Sequence, residues 1–352
     1  NFFHIFHKVE FIYMHPFNLQ YFPNYQLELP KKSVLVIGGA GYIGLAVTRE
    51  LLSSGYEVTI LDSLIHGTDH LAFLRDIPGV KLIQDDIRHI KQLNRVIGGQ
   101  QAVIVLAALV GQPACDKNPL DALEVNYLAT LAIVESCRKQ GISRLVFAST
   151  DSCYGAREGE KLDELSTLAP VSLYAELKAE VEERILSLPK TQGFSPVVLR
   201  LATVYGMSPR PRFDLAVNLL VREITLKGQA KIFSGEQWRP LVHVSDVARA
   251  FRLALDAPAN LVDHQVFNVG SDEQNIKFRD LGDLLLRLGP EATVTYEPAD
   301  PDLRDYFVNF GKIKKILGFE PSLSILEGMS EIASSLKKGF PSDPYDPKWR
   351  NA

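Results

Sequence analysis

Three glycines spaced as GxxGxxG, in Val34-Leu35-Val36-Ile37-Gly38-Gly39-Ala40-Gly41-Tyr42-Ile43-Gly44, constrain this chain more than any other feature. They follow a short apolar run of strand length, Ser33 to Ile37. They open a helical segment from about Tyr42 to Ser53, which Gly55 closes. Gly38 permits a tight turn, Gly41 lets the backbone approach a bulky ligand, and Gly44 lets the helix pack on the strand. The helix N-terminus then presents unpaired N–H groups and partial positive charge, a setting suited to a diphosphate. A glycine trio alone is weak evidence, since it also occurs in nucleotide-free turns. Here the next strand, Tyr56 to Leu61, ends at Asp62, whose carboxylate suits ribose hydroxyls. That context predicts a dinucleotide site built from Gly38, Gly41, Tyr42, Ile43, Gly44 and Asp62. Asp62 would repel a 2′-phosphate and no arginine follows it directly, which favours NAD over NADP.

The same beat continues. Strands are expected at Val80 to Gln84, Ala102 to Leu106, Arg144 to Ser149 and Pro196 to Leu201, with helices near Pro119 to Gln140 and Leu173 to Leu188. Strands alternating with helices imply right-handed βαβ units, hence an α/β Rossmann fold with a doubly wound parallel sheet. After Val204 the rhythm breaks, with prolines 209, 211, 240, 258, 290, 298 and 301 punctuating shorter elements. The expected division is a poorly structured leader at 1–31 and an NAD-binding domain at 32–203. A smaller, mainly substrate-binding lobe follows at 204–340, with the chain returning to the first domain around 240–270. The Pro- and Asp-rich stretch 341–352 is expected to be a surface tail.

Bulk properties exclude several classes. The net charge is −4, with no basic stripe interleaved with aromatics, so nucleic acid is not an expected partner. Cys115, Cys137 and Cys153 form no ligand-spaced cluster, which argues against structural metal and disulfides and fits a reducing compartment. No stretch approaches the roughly 18–20 apolar residues needed to cross a bilayer. The aromatic-rich leader is broken by His7, Lys8, Glu10, His15 and Pro16, unlike a secretory signal. The expected location is the cytoplasm.

A second motif carries chemistry. Tyr174 and Lys178 stand four apart among good helix formers, which puts both on one helical face. A nearby ammonium lowers a phenol's pKa, so the tyrosine can serve as a base toward a hydroxyl. Upstream, Phe147-Ala148-Ser149-Thr150-Asp151-Ser152-Cys153-Tyr154-Gly155 forms a hydroxyl-rich strand end, the edge at which open α/β sheets bind ligands.

Together GGAGYIG and YAELK resemble the extended short-chain dehydrogenases, specifically the NAD-dependent epimerase/dehydratase family of sugar-nucleotide enzymes. The resemblance runs from about Lys32 to Pro321. It implies an NAD-dependent enzyme with Thr150, Tyr174 and Lys178 as catalytic triad. Asp86 and Ile87 are similar to the family's adenine contact, Leu106-Ala107-Ala108 to its segment beside the cofactor, and Asn126 to its helix asparagine. Arg239 and Arg304 resemble the two arginines that grip the substrate diphosphate. Thr203 stands where an asparagine is usual, and Pro240 where an acidic residue is usual. The helices near Pro119 to Gln140 and Leu173 to Leu188 resemble the family's homodimer interface.

The departures bear on the reaction. Family 4,6-dehydratases carry Thr-Asp-Glu at the strand end, where this chain reads Thr150-Asp151-Ser152. A serine is a far weaker base than a carboxylate, so the obvious C5 base is missing. Enzymes that only oxidise and re-reduce C4 need no such group, which favours a nucleotide-sugar 4-epimerase working through a transient 4-keto intermediate. Asp151 keeps a 4,6-dehydratase open as the alternative, beside a 4-ketoreductase; a non-catalytic dinucleotide-binding protein is disfavoured because Thr150, Tyr174 and Lys178 are all present. Arg210 and Arg212 read as solvated loop charges ahead of a second anion site. His243 reads as structural.

Overall fold

The apolar runs pair side by side, each parallel to its neighbours. The computed structural model describes residues 32–233, 235–298 and 305–351. The leader and Arg304 lie outside the described residues. β1 (Ser33–Ile37) sits between β2 (Glu57–Asp62) and β4 (Ala102–Val105). β3 (Val80–Gln84) lies beyond β2, while β5 (Arg144–Thr150), β7 (Ser195–Leu201) and β11 (Gln265–Val269) extend the other side. The seven strands run in the order β11-β7-β5-β4-β1-β2-β3. The chain steps outward from β1 to β3 and then crosses to β4, so the reversal lies between β1 and β4. A crevice is expected outside the carboxyl ends of those two strands.

Why β1 is so apolar follows from its two faces. Val34, Leu35, Val36 and Ile37 are all fully buried. Val34 and Val36 join one core with Val47 and Leu51 of α1 (Tyr42–Ser53) and Val247 and Phe251 of α6 (Val244–Asp256). Leu35 and Ile37 point the other way. There they meet Leu93 of α2 (Ile90–Ile97), Ile133 of α3 (Thr130–Lys139) and Val181 of α4 (Leu173–Leu186). A strand covered on both faces needs a continuous apolar run rather than alternation.

The helix expected over Pro119 to Gln140 is present but not uniform. A short α-helix at Pro119–Ala122 passes into a π-helix at Leu123–Ala129 before α3 begins. Thr130 Oγ1 donates to the Val125 carbonyl across this wide turn, and Asn126 within it is fully buried. Such turns mark places where a side chain has been re-aimed.

Most of the remaining elements gather around a third core, while Leu162 of β6 and Tyr306 and Val308 of β14 join the first. β8 (Thr203–Tyr205), β10 (Trp238–His243) and β12 (Asn275–Lys277) form one small sheet. β9 (Gln229–Phe233) pairs with β13 (Thr293–Glu297), and β6 (Ala156–Leu162) with β14 (Asp305–Val308). Val221 of α5 (Ala216–Lys227), Leu285 of α7 (Leu281–Leu288) and Ile332 of α8 (Ile325–Lys337) pack together there.

The stretch after residue 340 corrects the expectation of a surface tail. Trp349 is buried in the third core with Phe213, whose N–H donates to the Trp349 carbonyl at 2.9 Å. Arg222 donates to the Pro344 carbonyl at 3.1 Å and covers the Tyr345 ring. Pro and Asp content correctly signals an irregular backbone there. A single large apolar side chain is enough to dock it.

Candidate active site

At the β1/β4 reversal the structure has a cleft lined by the glycine turn. Gly38 adopts φ +83°, and its N–H donates to the Leu61 carbonyl at 2.8 Å, tying the turn to β2. A Cβ at Gly38 would lie 2.5 Å from the Ala107 nitrogen, and one at Gly44 would lie 2.3 Å from the Gly38 oxygen. Gly41 is different. The nearest protein atom to a Cβ there is 3.5 Å away, and the residue faces the cleft. Packing therefore accounts for two of the glycines, while the third leaves open the cradle that a diphosphate at a helix N-terminus requires. In that respect the turn fits a dinucleotide.

Asp62 also lines the cleft, its carboxylate oriented by the Leu64 N–H at 2.9 Å and the Ala40 N–H at 3.0 Å. Burial raises its pKa against these two stabilising bonds. Each oxygen keeps acceptor capacity for a hydroxyl. Asp86 is gripped by Arg88, whose Nε and Nη2 donate at 3.1 and 2.8 Å, and this pairing holds its pKa below the usual carboxylate range. Tyr42, Ile43, Ile87, Leu106, Ala107 and Ala108 complete this half of the lining.

Asn126 does not line the cleft. Its Oδ1 accepts the Leu109 N–H at 2.7 Å and its Nδ2 donates to the Leu109 carbonyl at 2.9 Å. The expected cofactor contact is thus corrected to a clamp on the loop that follows β4, which is what the π turn achieves.

Tyr174 and Lys178 reach the same cleft from the first turns of α4, whose N-cap Ser172 accepts the Ala175 N–H. Lys178 is buried, donates from Nζ to the Ala148 carbonyl at 2.8 Å, and lies 6.0 Å from the Tyr174 ring centroid. Burial lowers its pKa to about 8. Burial also raises the Tyr174 phenol above its ordinary value. In the protein alone the cost of taking a phenolate out of water therefore dominates, with Arg212 the cation that acts against it.

Not every expected residue comes together here. Ser149 of β5 lines the cleft, whereas Thr150 does not; the Thr150 hydroxyl accepts the Ser152 N–H and caps the turn Asp151–Tyr154. Successive strand residues face opposite ways, which separates the two hydroxyls. Asp151 is also absent from the lining. It is buried, neither carboxylate oxygen has a hydrogen-bond partner among the described residues, and burial raises its pKa well above the ordinary value. Thr203 begins β8 outside the lining. Arg239 is buried beside the Tyr306 ring, with Nη1 on the Trp238 carbonyl, and is likewise not part of the cleft.

Other residues arrive that carry no motif. Arg210 and Arg212 line the cleft together with His66 and Asn351. The solvated-charge reading of the two arginines is therefore corrected: Arg210 is only 1% exposed, and Arg212 pairs with Asp214. His243 bridges Ser245 and Glu331 at 2.7 and 2.6 Å and is a structural residue.

Comparison with known proteins agrees with this construction. The model of the NAD dependent epimerase/dehydratase family matches residues 34–270. A UDP-glucuronate 4-epimerase from Thermodesulfobacterium geofontis is 30% identical over 317 residues, covering 87% of this chain and 96% of that protein. Among solved structures, a UDP-glucose 4-epimerase from Thermotoga maritima with UDP-glucose superposes with TM-score 0.77. It is 28% identical and covers 88% of this chain and 99% of its own. A dTDP-glucose 4,6-dehydratase from Streptomyces venezuelae, with NAD and TYD bound, also gives TM-score 0.77, at 26% identity over 90% of this chain and 98% of its own. The glycine turn answered by Asp62, the Tyr174–Lys178 helix and the sheet that joins them all fall inside the matched region, and the chain belongs to the NAD-dependent epimerase/dehydratase family.

Proposed function

We propose that this protein is a nucleotide-sugar epimerase that inverts C4 with NAD as cofactor. The observation that carries the reading is the presence of Tyr174 and Lys178 in the same cleft as Gly41 and Asp62. When bound, NAD supplies a hydride acceptor that can return the hydride to the same carbon. Tyr174 removes the proton from the C4 hydroxyl as the 4-keto sugar forms, and gives it back on the return step. Lys178, fixed by the Ala148 carbonyl, brings positive charge beside the phenol and favours its ionised form. Gly38 and Gly44 keep the turn tight, and Asp62 and Asp86 orient the adenosine half. Residues 204–340 supply most of the sugar-nucleotide side.

Dehydration would need a second base at C5. Ser152 is a poor one, and Asp151 is buried away from the cleft lining. Both observations favour epimerisation over the dehydratase reading. The test is product analysis with a panel of nucleotide sugars and the NAD-loaded protein in deuterated water. A new isomer of unchanged mass is the expected result. Loss of one water with deuterium uptake would identify a dehydratase, and stoichiometric NAD(P)H consumption with a keto sugar a reductase.

The working form is proposed to be a homodimer through the stretch 119–139 and α4. Leu120, Leu123 and Leu128 are 77%, 40% and 53% exposed, an apolar stripe that pairing would cover. Light scattering should give twice the mass of the chain, and Leu128→Lys should shift it toward a monomer; a monomeric parent protein rejects the assignment. The proposed compartment is the cytoplasm, in keeping with three buried, free cysteines. Among the described residues no helix is long and apolar enough to cross a membrane.

A further inference from the structure

Arg210 is a buried cation with an incomplete set of partners. Its guanidinium carries five N–H donors. Among the described residues it forms no ion pair, and the buried Nε has no hydrogen-bond partner. Only Nη2 is engaged, with the carbonyls of Lys348 and Arg350 at 3.4 and 3.2 Å and with Asn351 Oδ1 at 2.8 Å. Burial, reinforced by the neighbouring Arg212 and only partly offset by Asp214 and Asp62, lowers its pKa to about 10. Holding a charge in such a place is costly unless an anion meets it. Arg210 lines the same cleft as Gly41 and Asp62, the proposed dinucleotide site.

The segment behind it is anchored at two places. Trp349 is buried against Phe213, and the Asn351 N–H reaches Asp214 at 3.4 Å. Lys348 Nζ lies 3.4 Å from Asp69, in the turn that follows β2. Asn351 itself lines the cleft, and Lys348, Trp349 and Arg350 border a second hollow with His66. Residues 348–351 therefore run from the Arg210–Asp214 loop to the edge of the adenosine half.

We propose that Arg210, held in place by residues 348–351, binds the diphosphate of the dinucleotide, and that this segment straps the cofactor into the cleft. The assignment rests on the cofactor-site reading given above. Its consequence is slow cofactor release, which suits an enzyme that regenerates its NAD in every cycle.

The test is the rate at which excess NAD displaces bound NADH from the holo protein, followed by NADH fluorescence. Arg210→Met should speed release at least tenfold, and Asn351→Ala, which removes one strap contact and leaves the core intact, several-fold. Thermal melts of the variants separate this from misfolding. Release from folded Arg210→Met at the parental rate overturns the assignment. So does a loss confined to NADPH, which would point to a 2′-phosphate. A raised KM for the nucleotide sugar with unchanged NADH release would assign Arg210 to the substrate diphosphate and also overturn it. A parent protein that binds no NADH overturns the cofactor site itself, a failure distinct from these.

Discussion

Tyr174→Phe is expected to lower epimerase turnover by about 10²–10⁴-fold, the range for removal of a positioned acid–base group. NADH binding should stay near the parental level, because the ring remains and only the oxygen is lost. The argument turns on the two shifted groups in the cleft. Burial pushes the phenol up and the lysine down, so in the protein alone both sites disfavour charge. Bound NAD would supply a positive charge to the cleft, and Tyr174 would then shift toward its ionised form. On the proposed function, catalytic competence would thereby be linked to cofactor occupancy. Stopped assays of product formation, paired with fluorescence titration of NADH, check both halves. Turnover at the parental rate would remove Tyr174 from its role.

Gly44→Ala and Gly41→Ala should both lose NADH binding, but only the first should lose stability. At Gly44 the new methyl would sit 2.3 Å from the Gly38 oxygen and 2.6 Å from the Gly39 Cα, both backbone atoms that cannot rotate aside. The helix must lift from the turn, at a cost of about 1–3 kcal/mol for overpacking of this kind. NADH binding is lost along with stability, since the turn that cradles the diphosphate opens. At Gly41 no atom of the described residues, its chain neighbours aside, lies closer than 3.5 Å to the new methyl, so the melting temperature should hold while NADH affinity collapses. Calorimetry and NADH titration of the two variants separate the roles. If Gly41→Ala binds NADH as tightly as the parent, the diphosphate does not sit against that residue.

What could be read in advance was local. The β1 run, the turn and α1 occupy neighbouring positions and answer to one physical demand, so their boundaries at Ser33–Ile37 and Tyr42–Ser53 agree with the expectation. Tyr174 and Lys178 were equally legible, because a four-residue spacing on a helix fixes relative placement. The β5 strand end was not. Its hydroxyls were visible, but which of Ser149 and Thr150 faces the cleft depends on how the strand is seated in the sheet. Arg210, Asn351 and His66 meet only through tertiary folding and carry no motif. Asn126 was found for the wrong reason, since its partner is the backbone of Leu109 and not the cleft. Asp151 looked available in sequence and proved to be enclosed.

The late arrival of β11 has a consequence for synthesis on the ribosome. The principal sheet is not complete until Gln265–Val269 adds beside β7, and α6 must first emerge to cover the face of α1. Until then the nascent chain carries β7 as an open edge, with unpaired N–H and C=O groups that a neighbouring chain could add to. Elongation at about 5–20 residues per second leaves that edge uncovered for several seconds after β7 itself is made. The glycine turn is thus translated well before the sheet that supports it can close.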